Sequence, residues 1–334
     1  MVQRTGHPSY KITGLQYSVN YGEWKTVAAN EEVTFGGTNG TLRLRGTNTN
    51  GTASAWSGYS TITFTDKTVK VACTGDIRTL LDWRIYNIVE TNNARFSYLF
   101  YDCSVLTSAP ELPATTLAGN CYDGMFFNCT SLTSAPKLPA TTLAGSCYNS
   151  MFSGCTSLTA APELPATTLV YSCYLNMFLG CTGLTSAPEL KATTLAGSCY
   201  YGMFYGCTSL TAAPELKATT LEKYCYNRMF KGCTSLTAAP KLKATTLAYY
   251  CYYDMFSGCT KLSTVTMLAP SDQISNFCDN WLDNAGTDPT VKSRTLIVSD
   301  EAAYNKLVNV GVLPTDYWQK ENCTVKAADG SVIK

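Results

Sequence analysis

The chain is poor in histidine, in charge and in long apolar runs, and each scarcity excludes something. His7 is the one histidine and stands in a polar amino-terminal stretch. Ser/His/Asp and Cys/His nucleophile systems need an imidazole held beside the attacking group, and His7 reads as an ordinary surface residue. No Walker loop, GxGxxG or HExxH motif is present. Asp, Glu, Lys and Arg make up 15% of the 334 residues, with a net charge of +1. That balance carries no electrostatic footprint for nucleic acid or an anionic membrane. No stretch of about 18 apolar residues is present, so no membrane insertion is expected. The start, Met1-Val2-Gln3-Arg4-Thr5-Gly6-His7, has no apolar h-region. Either a signal peptide has been removed, or the protein leaves its cell another way. The expectation is a protein that is not an enzyme and needs no cofactor.

What the chain has in quantity is cysteine, at sixteen residues, and regularity. One series falls at 121, 147, 173, 199, 225 and 251, and a second at 103, 129, 155, 181, 207, 233 and 259. Both step by 26 residues. Seven units start at 95, 121, 147, 173, 199, 225 and 251. The first has Arg95 in place of Cys, and the last decays after Leu262. A worn eighth copy begins at Cys278. Atypical end copies are the mark of capping repeats.

Within a unit, Leu143, Cys147 and Met151 are spaced i, i+4, i+8 and predict one face of a helix, flanked by Tyr148 and Phe152. Asp102, Asn128, Gly154, Gly180, Gly206, Gly232 and Gly258 share one position. These residue types tolerate the left-handed conformation and predict a helix C-terminal cap there. Leu132-Thr133-Ser134-Ala135 predicts a short strand ended by Pro136, with equivalents at 110, 162, 188, 214 and 240. Seven stacked strands would make a parallel sheet on the order of 30 Å long.

The unit CYxxMFxGCTSLTxAPxLxATTL resembles the BspA-type leucine-rich repeats of surface proteins from gut and oral bacteria and some of their phages. The resemblance covers residues 95 to about 283, with Ala-Pro here where those repeats carry a branched apolar residue. It implies an α/β repeat fold, a right-handed leucine-rich-repeat solenoid. It also implies adhesion or ligand binding, with a protein or glycan on a cell surface as partner and an extracellular or cell-surface location. The alternative is a phage virion fibre or receptor-binding component, which the bare Met1 start favours. That alternative carries the expectation of a homo-oligomer joined through the amino-terminal domain.

Four regions follow. Residues 1–72 read as a β-rich domain, with alternating stretches at 41–46 and 60–65, turns at Asn30, Gly36-Gly37, Asn39-Gly40 and Asn50-Gly51, and Trp24 and Trp56 pinning a small sandwich core. Residues 73–94 hold a helical cap from Ile77 to Val89, and 95–283 the repeats. Residues 284–334 form a carboxyl-terminal cap, with a strand at 295–298 and a helix at 299–307 that Ser299 caps.

The cysteines of a unit are eight apart, unlike zinc-binding pairs, so no metal site is expected. A bridge within each unit would leave Cys103 without a mate. Both series read as small buried residues in core columns, while cap bridges such as Cys73–Cys103 or Cys278–Cys323 stay open. Positions that vary between units read as exposed: Asp123-Gly124, Asn149-Ser150, Leu175-Asn176, Tyr201-Gly202, Asn227-Arg228 and Tyr253-Asp254. With the nearby rings these give candidate ligand-binding residues Tyr171, Tyr201, Tyr205, Tyr224, Tyr249, Tyr250 and Tyr253, densest in the last repeats. Covering of neighbouring units is the competing role for these rings. Glu111, Lys137, Glu163, Glu189, Glu215 and Lys241 form a second column beside Lys191, Lys217 and Lys243, which reads as a surface charge ladder. Glu163, Glu189 and Glu215 meet the carboxylate spacing of a glycosidase but lie on an open face among lysines.

Overall fold

A computed structural model describes residues 2–3, 12–28, 30–36, 40–54 and 58–334. His7 and Trp56 lie outside the described residues, as do the turn residues Gly37 and Asn39. The molecule is built as seven stacked 26-residue units between two caps, mostly short strands, bridges and turns with little helix.

The predicted unit helix is not there. Asp102, Asn128 and the five glycines at that position are all left-handed, but they close no helix. In the unit at 147, the left-handed conformation recurs every fourth residue, at Ser146 (φ 55°), Ser150 (φ 50°) and Gly154 (φ 75°). An α-helix cannot contain such residues. The chain instead runs as overlapping turns. The N–H groups of Cys147, Asn149, Met151, Ser153 and Cys155 donate to carbonyls three residues back, at 3.0–3.3 Å. The intervening N–H groups, on Ser146, Tyr148, Ser150, Phe152 and Gly154, donate at 2.7–3.1 Å to carbonyls of the next unit, Tyr171 to Leu179. This ribbon repeats every four residues, with two side chains in and two out. A period of four over eight residues is close to the helical 3.6, which is why the pattern reads as a helix face.

The inward positions form the core. Tyr148 and Phe152 do not merely flank it. Phe96, Tyr122, Tyr148, Tyr174, Tyr200, Tyr226 and Tyr252 make one buried column, with successive ring centroids 5.7–6.2 Å apart and planes within 19°. Seven phenylalanines from Phe100 to Phe256 make another, at 5.6–5.7 Å and within 11°. Offset ring pairs of this kind contribute about 0.5–1.5 kcal/mol each beyond the apolar area they bury. All sixteen cysteines are free thiols, and all but Cys73 are buried. The second series also bonds: Cys155 Sγ donates to the Phe126 carbonyl at 3.1 Å, and Cys129, Cys181, Cys207, Cys233 and Cys259 repeat the contact. Each thiol therefore ties its unit to the one before.

The far side of the unit carries no continuous sheet. Thr133 N–H reaches the Thr107 carbonyl at 3.4 Å, and isolated parallel bridges join Ala160 to Ser186 and Leu164 to Leu190. The proline that follows has no N–H to continue the ladder. Where the decayed last unit has Thr266 in the proline position, a regular strand appears.

Both ends are closed by imitation. β1 (Val2–Gln3) pairs with a later strand, while β2 (Gln16–Val19), β3 (Lys25–Thr26) and β4 (Leu42–Arg45) form an antiparallel sheet in the order β3-β2-β4. Trp24 pins no sandwich core: it is half-buried, with the guanidinium groups of Arg43 and Arg45 over its ring at 5.0 and 4.0 Å. β5 (Ser60–Thr61), the partner of β1, covers only the start of the 60–65 stretch. Thr52 and Ile62 donate to the Arg95 and Leu99 carbonyls, as a preceding unit would. β6 (Val71–Ala72) then leads to α1 (Thr79–Asp82), the one α-helical turn in the 77–89 stretch. β7 (Leu106–Ser108) pairs with β6 just before Pro110.

At the other end Tyr252, Asp254, Phe256 and Gly258 donate to Phe277, Asp279, Trp281 and Asp283. The worn copy is thus in register from Phe277, one residue before the expected Cys278. β8 (Thr264–Met267), β9 (Thr295–Val298) and, after α2 (Glu301–Asn309), β10 (Thr324–Ala327) form a parallel sheet in the order β10-β9-β8. Asp300 rather than Ser299 caps α2, accepting from Ala303 N–H at 2.8 Å, while Ser299 Oγ donates to the Ala269 carbonyl. Buried Trp281 and Trp318 donate to the Val312 and Ala285 carbonyls.

Two outcomes test this architecture. A methyl at Gly180 would meet no atom closer than 3.9 Å, so Gly180→Ala isolates the cost of φ +70°. It is expected to destabilise by roughly 1–2 kcal/mol. Gly197→Ala, where φ is ordinary and the nearest contact is 3.5 Å, should be neutral or slightly stabilising in the same thermal melts. Thiol labelling of the native protein should modify Cys73 first, because burial holds the interior thiols back, with Cys121 and Cys181 pushed up to about 12. Uniform labelling before unfolding would contradict this packing.

Candidate recognition surface

The outward positions of the turn ribbon alternate between ordinary and left-handed backbone, and the left-handed ones form two further columns beside the one that runs from Asp102 to Gly258. One runs Asn120, Ser146, Ser172, Ser198, Tyr224, Tyr250; the other runs Tyr98, Gly124, Ser150, Asn176, Gly202, Arg228, Asp254. Gly, Asn and Asp are the residues such backbone accepts most readily, and the small Ser recurs there in the earlier units. Tyr and Arg there are held at a cost of roughly 1–3 kcal/mol each. The scaffold itself needs only the small residues, since the earlier units stack with them.

Tyr98 has a packing reason for its place. Its ring lies 4.7 Å from Tyr59, and its carbonyl accepts from Thr61 Oγ1, which docks the amino-terminal cap. No cap segment explains Tyr224, Arg228 and Tyr250 in that way. These residues build a cluster instead. Tyr249 and Tyr250 centroids are 4.0 Å apart, Tyr224 lies 5.5 and 5.9 Å from them, and Tyr253 stands edge-on to Tyr250 at 5.0 Å. Phe277 closes the edge, 6.4 Å from Tyr249. Arg228 joins the rings to a polar group. Its Nε donates to Asp254 Oδ2 at 3.2 Å and its Nη1 to Tyr201 Oη at 3.0 Å, with the guanidinium 5.6 Å from the Tyr253 centroid. Lys231 Nζ reaches the same Asp254 oxygen at 2.7 Å.

Five of the seven tyrosines singled out from sequence, Tyr201, Tyr224, Tyr249, Tyr250 and Tyr253, are thus brought together. Tyr171 and Tyr205 are not. Both are exposed, and they reach toward the glycines of following units, Gly197 and Gly232. They have the covering role. The expectation that all variable positions are exposed fails at Gly124, Gly202, Asn227 and Asp254, which are buried. Sequence reasoning named Arg228 and Asp254 only as variable positions and missed Lys231 and Phe277. The signal for Arg228 was the break with the repeat pattern at a left-handed position; Lys231 and Phe277 stand on ordinary backbone and carry no such mark.

The charge column behaves as a ladder: Lys217 pairs with Glu189 at 2.6 Å and Lys243 with Glu215, each across one unit. These carboxylates are held below the usual range by their lysines, in the open. Among the described residues, no group of three His, Cys, Asp and Glu converges to hold a metal ion, and no helix is long and apolar enough to cross a membrane. Compared with known proteins, the chain matches no family model and no curated protein.

One half-buried carboxyl stands near the other end of the same face. Asp123 lies under Tyr98, whose hydroxyl is 3.5 Å from both its oxygens. Burial raises it to about 7. In the unfolded chain it titrates near 4, roughly. The folded state therefore holds a proton that the unfolded state has lost between these values, and stability falls as pH rises through that window. Asp123→Asn, which copies Asn149 of the next unit, should melt higher than the parent at pH 8. The advantage should shrink at pH 5, where the parent carboxyl is protonated.

Proposed function

We propose that the protein is a recognition scaffold: a right-handed solenoid of leucine-rich type whose turn face, in its last units, presents a binding surface to a protein or glycan outside a cell. The observation that carries the reading is the placement of Tyr224, Arg228 and Tyr250 on left-handed backbone where earlier units have Ser, Asn or Gly. Backbone strain that folding does not need, gathered in one half-buried cluster at the surface, is the mark of a functional surface. The resemblance to BspA-type repeats supports an adhesive role, and the leucine, cysteine and aromatic columns support the solenoid. A non-enzymatic role accords with carboxylates that stand paired to lysines on an open face. A phage fibre or receptor-binding component is the second reading, since it would use the same surface. Oligomerisation through the amino-terminal domain belongs to that reading.

The test is binding to intact bacterial and animal cell surfaces by the full chain and by a variant with Tyr201, Tyr224 and Tyr250 all changed to Ser. The variant should keep the parent circular dichroism and melt no lower than a few degrees below it. It should also lose about tenfold or more of its binding, since aromatic anchors of this kind dominate recognition. Undiminished binding would move the site to the charge ladder or the amino-terminal domain.

A further inference from the structure

We infer that the cluster around Arg228 is a saccharide subsite that takes a sugar ring bearing a carboxylate. The inference rests on the recognition reading above and gives that surface a ligand class. Three observations lead to it. First, Arg228 spends only part of its donor set inside the protein. Nε goes to Asp254 and Nη1 to Tyr201 Oη; the remaining guanidinium N–H groups have no hydrogen-bond partner among the described residues, and the side chain is 37% exposed. The Asp254 side chain, 6% exposed, is enclosed by Arg228 and Lys231 and fixes the plane of the fork rather than facing outward. A guanidinium fixed from behind with a free edge is the geometry that suits bidentate recognition of a carboxylate.

Second, Arg228 and Lys231 share that single carboxylate, which leaves one positive charge in excess around Arg228, while a further carboxylate, Asp279, acts on Tyr249 at the edge of the cluster. Charge complementarity therefore calls for an anion. Third, the surroundings are rings with polar rims. Among the described residues, the exposed large side chains of the repeats are Tyr171, Tyr205 and Tyr249, whereas the exposed aliphatic ones, Val69, Ile85, Ile88 and Val332, all lie in the terminal regions outside the repeats. A protein partner would be expected to meet an apolar core at the centre of its interface. Here the centre is charged, and the tyrosine faces and hydroxyls around it suit the apolar faces and hydroxyl groups of a pyranose. Tyr201 Oη, which accepts from Arg228, keeps its own proton for a ligand oxygen.

The experiment is titration calorimetry of the full chain with galacturonic-acid, glucuronic-acid and sialic-acid oligosaccharides, each beside its neutral counterpart. At least one acidic sugar should bind about tenfold or more tighter than its neutral form, with an affinity that weakens as salt is raised. Two variants locate the site. Tyr250→Ser copies Ser198, and the double change Arg228→Gly with Asp254→Gly copies Gly124 and Gly202 without orphaning the carboxylate. The double change to glycine relieves left-handed strain and should melt at or above the parent temperature, and Tyr250→Ser, at a position that earlier units fill with Ser, should melt within a few degrees of it, each while losing that binding. A residue with only a structural role would instead lower the melting temperature when replaced. Equal affinity for acidic and neutral sugars, acid binding that survives both variants, or no binding by any of the three acids overturns the inference. If cell-surface binding persists and remains sensitive to the three tyrosines in those cases, the recognition reading stands and its ligand is of another class.

Discussion

Half of the backbone N–H groups on the turn face of this protein bond within their own unit and half bond to the next unit. That division depends on a left-handed residue every fourth position, and most other features follow from it. It requires Gly, Asn, Asp or Ser at set places. It forces each unit to the same length, because one inserted residue would put every following donor out of register. It also draws the units close enough for like side chains to lie on one another, so the tyrosine and phenylalanine columns are consequences of the hydrogen-bond ribbon as much as contributors to it.

The same ribbon explains the cysteines and the ends. A side chain at the second cysteine position points back at a phenylalanine carbonyl that already accepts from its own unit's Cys N–H, as Phe126 does from Cys129. A thiol is small enough to fit and can still donate. Since each unit offers unpaired donors on one side and acceptors on the other, the stack cannot simply stop. The amino-terminal segment supplies donors through Thr52 and Ile62, and the worn copy from Phe277 supplies acceptors. Caps of this kind are required wherever open edges would otherwise invite further pairing.

A scaffold so constrained inside is permissive outside. Its outward columns carry Gly, Ser, Asn, Leu, Tyr, Arg and Lys without disturbing the stack. Departures from the small residues at left-handed positions therefore report on something other than folding. At the amino-terminal end the departure is Tyr98, which holds the cap. At the other end the departures are Tyr224, Arg228 and Tyr250, half-buried residues that join one cluster with the buried Asp254.

The sequence by itself determined the repeat length, the number of units, the left-handed glycine position, the buried cysteine columns and the proline that stops each strand. All of these are recorded locally, as residue types recurring at fixed spacing. It did not determine that the unit is a ribbon of turns, because a period of four and a period of 3.6 coincide over eight residues. The choice between them is made by hydrogen bonds to a unit 25 residues away. Nor did it separate Tyr171 and Tyr205 from the other five tyrosines, or join Arg228 to Asp254 and Tyr201. Those three residues are 26 and 27 apart in the chain and meet only because stacking converts sequence separation into a single step along the molecule.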